Sequence, residues 1–308
     1  MSLKNEKIMI HEHKRQKRQI RWLIFWVLLS LNVVTLAIEA VFTFMSPTVT
    51  LNYTRMMITQ ILAILLPLVI YFKVSGVNSP KLNLRLNSFS AAQAVMIVIL
   101  AAAGQFIMII LNIPMTWLQR DIIQLNVIAR TMIPENNVPL IFGVLVLAVT
   151  PAILEETLMR GVLFGGMEKQ STIFAAVFST FVFALLHANP FNFVGYIFLG
   201  IMTVMVMLRT DSLYAAILFH FINNLTAFVF EFLLVRGFIE SSSTIIFIVV
   251  CAIVVFIVSM FICRLITPNA PKHKEKNTMS LLWENIFSVP IILCIVLTVA
   301  VQYFRLFA

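Results

Sequence analysis

Long, unbroken apolar runs constrain this chain more than any other feature. They cover residues 22–44, 56–72, 91–113, 138–164, 172–187, 193–208, 212–230, 244–265 and 286–304, with short polar breaks between them. A helix needs about 20 mainly apolar residues to cross a hydrocarbon core about 30 Å thick. Inside a bilayer the backbone must satisfy its own polar groups, which leaves helices or closed barrels. Barrel strands would alternate over about ten residues, and these runs do not alternate. Composition agrees: 61% of residues are hydrophobic and 11% charged, against about 25% charged in a soluble domain. The expected fold is all-α, a polytopic transmembrane helix bundle of about eight to nine spans enclosing a polar intramembrane cavity.

The net charge of +9 does not point to nucleic acid. The basic residues sit in an N-terminal block and in short loops, where topology and anionic lipid account for them. Placing the N-terminus in the cytoplasm puts seventeen of the twenty-two Lys and Arg on the inner side, the bias that sets orientation. The first run is too long for a signal-peptide core and lacks a small-residue cleavage site. The chain then divides into a basic cytoplasmic segment 1–21, spans over 22–113, an outer stretch 114–137, a core 138–230, and C-terminal spans 231–308 with a cytoplasmic linker 267–285. The outer stretch reads either as an amphipathic helix on the outer leaflet or as an ordinary loop. Cys251, Cys263 and Cys294 show no metal-like or disulfide spacing and read as small buried hydrophobes.

Against this apolar background, Glu155 and Glu156 stand side by side, with Arg160 one turn on. Placing one charge at membrane depth costs about 2.5–3.5 kcal/mol on insertion scales. Only His187 and His220 bring imidazoles into apolar segments. Counting 1.5 Å per residue from the nearest turns puts Glu155, His220 and Asn224 at similar depth, with His187 somewhat deeper. Asn189-Pro190 breaks the helix just after His187. Glu156 and Arg160, at i and i+4, form an internal ion pair that braces the site. Asn223, about 100° round the helix from Asn224, points elsewhere. Glu39, inside the first run, receives no role. Phe183 reads as packing.

Glu155-Glu156-x-x-x-Arg160, Phe183-x-x-x-His187 and His220-x-x-x-Asn224 resemble the three motifs of the CPBP family. That family holds the CAAX prenyl proteases of the Rce type and bacterial relatives linked to bacteriocin processing and immunity. The likeness covers about residues 138–230. It implies an intramembrane endopeptidase acting on a membrane-associated peptide or protein, with membrane lipids as its other partners. The catalytic set it implies is Glu155, Glu156, His187, His220 and Asn224, with Arg160 bracing. Glu155 and His187 would hold and activate the attacking water. His220 and Asn224, on one helix face, would donate to the oxyanion.

The metal question stays open at this stage. Glu155, His187 and His220 are ligand types that zinc accepts, but no His-Glu-x-x-His is present. Both a zinc enzyme and a metal-free glutamate enzyme are compatible with the motifs. Two other functions compete. A proton-coupled transporter would use the same carboxylates and imidazoles as a relay, but the chain shows no internal repeat. A catalytically idle immunity or scaffold protein would keep the fold, but every motif residue is present. The cavity is expected to open toward the cytoplasmic half.

Overall fold

The computed structural model describes residues 3–42, 48–75, 84–119, 138–267 and 278–307. Apart from one isolated bridge between Leu86 and Ser212, its regular structure is helical. Seven helices among the described residues are long and apolar enough to cross a membrane. The number is eight if the pair Thr278–Ile286 and Val289–Val301, bent by 65°, counts as one span. The chain is a multi-pass integral membrane protein.

Helix α1 (Leu3–Phe42) starts well before the first apolar run and carries the basic segment as part of one continuous helix. Helices α2 (Val49–Gln60) and α3 (Leu66–Ser75) form one span, joined by a wide π turn at Ile61–Leu65. The loop before α4 (Ala91–Trp117) ends in a capping box, with Ser90 and Gln93 satisfying each other's backbone amides. Residues 114–119 extend this helix, and 120–137, the rest of the expected outer stretch, lie outside the described residues. Thr278–Ile286 is helical, inside the stretch read from sequence as a linker.

The motif-bearing span is irregular. It comprises α5 (Val138–Val144), a π segment Leu145–Val149, α6 (Thr150–Glu156), a second π segment Thr157–Phe164 and the short α7 (Gly165–Met167). π turns are uncommon and concentrate at functional sites. Helix α8 (Thr172–Leu186) has 15 residues, or about 22 Å, and falls short of a hydrocarbon core about 30 Å thick. It ends at His187, inside the bundle. Ala188 takes a left-handed φ of 43°, and Asn189 caps the following turn by accepting from the amides of Phe191 and Asn192. The chain then returns as α9 (Phe193–Thr210) alongside α8. Gly200 permits this close approach, because a Cβ there would lie 2.8 Å from Thr180 Cγ2.

Helix α10 (Leu213–Val235) packs on α4, α9, α6 and the first π segment. Helix α11 (Ser242–Ile266) lies at the edge against α4. Below the motif span, the loop before α4 is locked in place. Arg85 is buried and ion-paired with both Glu168 and Asp211. Its carbonyl accepts from the Leu213 amide at 2.8 Å. The start of α10 and the end of α9 are therefore held to one loop.

Candidate active site

Glu155 and Glu156 are neighbours on α6, and the helix turns them into different surroundings. Glu156 is fully buried. Its Oε2 lies 3.1 Å from Arg160 Nε, and its Oε1 2.8 Å from His220 Nδ1. Arg160 donates to the Gly200 carbonyl at 3.0 Å and stacks over the Phe183 ring, 4.7 Å from its centroid. Phe183 also meets both imidazoles edge-on. The buried charges are thus paired and covered by an aromatic face, the condition under which an ion pair survives at depth.

Glu155 faces the other way, into a cavity of about 360 Å³. His187, Tyr196, His220 and Asn224 line the same cavity. Glu155 Oε2 lies 3.6 Å from His187 Nε2. The Nδ1 of His187 is 2.9 Å from the Phe183 carbonyl. A carbonyl only accepts, so Nδ1 carries a proton, and the neutral ring presents a lone pair at Nε2. The Tyr196 ring stacks on His187 at a centroid distance of 3.8 Å and fixes its plane.

His220 is held from behind by Glu156. With Nδ1 donating to the carboxylate, Nε2 can donate into the cavity only when the ring is protonated. Asn224 donates one amide hydrogen to the Leu147 carbonyl at 3.2 Å. Gln60, on α2, donates to the Val146 carbonyl at 3.1 Å. Both carbonyls belong to the π segment just before α6, where the wide winding leaves backbone acceptors for side chains to satisfy. Asn223 turns away to Gln105 Oε1 at 2.9 Å.

Glu155, His187, His220 and Asn224 are therefore brought to one cavity, and Glu156 and Arg160 form its buried support. Among the described residues, no three His, Cys, Asp or Glu side chains are grouped to hold a metal ion. The set of Glu155, His187 and His220 is not grouped in that way among the described residues.

The cavity runs from these residues past Leu147, Ala227 and Met56 to Gln60 and Glu231. Gln60 closes α2 near the middle of the Val49–Val74 span, and Ala227 and Glu231 lie in the Val235 half of α10.

Sequence reasoning missed Tyr196, Gln60 and Glu231. Glu231 carried a usable signal: an ionisable group seven residues from Asn224 falls on the same stripe of an apolar helix. Tyr196 and Gln60 carried none, since only the fold brings them near His187 and Leu147. Glu39 lines a neighbouring pocket that shares Met56 and Gln60 with the site cavity.

Comparison with known proteins places this region. Residues 137–226 match the family model for the type II CAAX prenyl endopeptidases described as Rce1-like. Among curated proteins, the chain is similar to one named "Putative membrane peptidase YdiL" from Bacillus subtilis (strain 168). The two are 28% identical over 102 residues, which cover 33% of this chain and 42% of that relative. The chain thus spans less than half the length of the curated relative it matches. No solved structure matches. The matched segment carries Glu155, His187 and His220, and over it the chain is similar to the Rce1-like type II CAAX prenyl endopeptidases.

Proposed function

We propose that this protein is an intramembrane endopeptidase that hydrolyses a peptide bond of a membrane-associated protein or peptide. The observation that carries this reading is the opposition of Glu155 Oε2 and His187 Nε2 across 3.6 Å at the wall of a cavity. We take the attacking water to sit in this cavity, shared by the Glu155 carboxylate and the His187 imidazole. As the water oxygen attacks the peptide carbonyl carbon, Glu155 takes a proton from it as general base. The carbonyl oxygen becomes an oxyanion, and the second amide hydrogen of Asn224 is placed to donate to it, joined by a protonated His220. Collapse breaks the carbon–nitrogen bond, and the proton held by Glu155 passes to the leaving amine. One water is consumed, and one carboxyl and one amino group are released.

In this reading Glu156 and Arg160 are positioning residues that act through His220 and the helix. The N-terminal block is cytoplasmic, on the Lys and Arg asymmetry. The test is incubation of the purified full chain in lipid nanodiscs with membrane-anchored peptide mixtures, with products identified by mass spectrometry. Wild type should generate new termini and Glu155→Gln should not. Equal products from both, or none from wild type, would overturn the proposal.

A further inference from the structure

A groove of about 550 Å³ runs between α1 and the α2–α3 span and shares no residue with the site cavity. Along α1, Arg18, Trp22, Trp26 and Ser30 line it at spacings of four residues, which set them in one stripe. Leu66 and Ile70 of α3 form the facing wall. Trp26, Leu66 and Ile70 are exposed although they line it, so the groove opens sideways.

Its two ends differ in chemistry. At one end Arg18 is exposed, with the exposed Arg15 one turn before it on the same side of the helix. Among the described residues, no Asp or Glu lines the groove. At the other end Ser30 Oγ donates to the Ala63 carbonyl at 3.0 Å. Pro67 has no N–H to offer that carbonyl from the next turn, and the Ser30 hydroxyl satisfies it, tying α1 to the π turn at Ile61–Leu65. Between these ends the walls are apolar.

From Arg18 to Ser30 the helix advances twelve residues, about 18 Å. One leaflet of a hydrocarbon core about 30 Å thick is about 15 Å deep. An acyl chain spans one leaflet, so the groove has the length of a single tail, and the guanidinium stands at headgroup level. Trp22, one turn inside Arg18, stands where indole rings collect, at the boundary of headgroups and hydrocarbon.

We propose that this groove binds one anionic phospholipid, with its headgroup on Arg18 and one tail along Trp22, Trp26 and Ile70 toward Ser30. Basic pockets between spans take anionic headgroups. A zwitterionic head carries an ammonium that opposes the attraction of Arg18 for the phosphate, so a head of net negative charge is favoured.

In the test, the purified full chain in a neutral detergent is offered equal amounts of phosphatidylglycerol and phosphatidylcholine with identical tails. Native mass spectrometry reads the lipid retained. The expected result is one lipid per chain, with phosphatidylglycerol favoured about fivefold, the effect of one basic residue near an anionic surface. Arg18→Gln should remove the preference. Arg264→Gln, at an exposed basic residue of α11 outside the groove, should keep it. Leu66→Trp fills the groove with Arg18 in place and should abolish retention. Ile70→Trp fills it from the next turn and serves if thermal unfolding shows Leu66→Trp to be misfolded. Equal retention of the two lipids, an equal loss of preference in Arg264→Gln, or undiminished retention in the filled groove overturns the proposal.

A second arm reads the groove within a bilayer. Trp117→Phe/Trp283→Phe leaves Trp22 and Trp26 as the remaining indoles of the chain's four tryptophans. Brominated phosphatidylglycerol, present as a minority lipid, should quench them more than brominated phosphatidylcholine at the same fraction. Adding Arg18→Gln should make the two equal. Equal quenching with Arg18 intact overturns the site.

Discussion

Two adjacent carboxylates meet opposite fates in this bundle. Glu156 has no exposure and is held by Arg160 and His220. The Glu155 side chain is 15% exposed at the cavity wall, and its Oε2 makes no hydrogen bond within the protein. The difference arises from the roughly 100° that a helix turns per residue. On the closed side the charge is balanced by Arg160 at 3.1 Å and by the imidazole of His220 at 2.8 Å. On the open side the partner is the imidazole of His187 at 3.6 Å, with no guanidinium beside it.

The largest expected effect strikes the open side alone. Glu155→Gln keeps the shape and removes the base, so turnover should fall by about 10²–10⁴ with the melting temperature little changed. A comparable fall in melting temperature would erase the distinction between the two sides. Next comes the closed side. Arg160→Ala leaves Glu156 buried without its cation and should destabilise the fold by about 3–5 kcal/mol, read by thermal unfolding in nanodiscs. Lost activity with an unchanged melting temperature would instead move Arg160 into the chemistry.

Asn224→Ala sharpens the comparison, because Asn224 touches both functions. Losing an oxyanion donor lowers the cleavage rate by about 10²–10³. Losing only its hold on the Leu147 carbonyl would move stability and leave single-turnover cleavage of a saturating peptide intact. The smallest effect belongs to Tyr196. Removing the ring in Tyr196→Leu forfeits a stack worth about 0.5–1.5 kcal/mol, and a two- to tenfold loss in rate is expected. A loss as deep as that of Glu155→Gln would give the Tyr196 hydroxyl a part in the reaction, which Tyr196→Phe would isolate.

The helical architecture was legible because apolar length is a one-dimensional signal. So was the gathering of Glu155, His187, His220 and Asn224, whose depths could be counted from the turns. His187 was the partial exception: counting from Thr172 put it deeper than Glu155 and His220, yet α8 ends there and its imidazole meets Glu155. The anchoring of the loop before α4 was not legible, because Arg85 is held there by Glu168 and Asp211, partners 83 and 126 residues away. The π segments were also invisible, since nothing in Leu145–Val149 distinguishes wide winding from ordinary winding before the fold supplies Gln60 and Asn224.

Those wide turns bear on how such a site could be lost over evolutionary time. A π turn amounts to one residue inserted into an α-helix. Deleting a residue from 145–149 would restore regular winding and rotate the two parts of the span against each other by about 100°. The string Glu-Glu-x-x-x-Arg would survive unaltered, yet either the carboxylates or the helix wall before them would face new neighbours. Two lineages could then carry the same letters at their motifs while only one presents a carboxylate to its cavity. The place to look for a silenced member of such a lineage is the length of the stretch between Val138 and Glu155, not the identity of the motif residues.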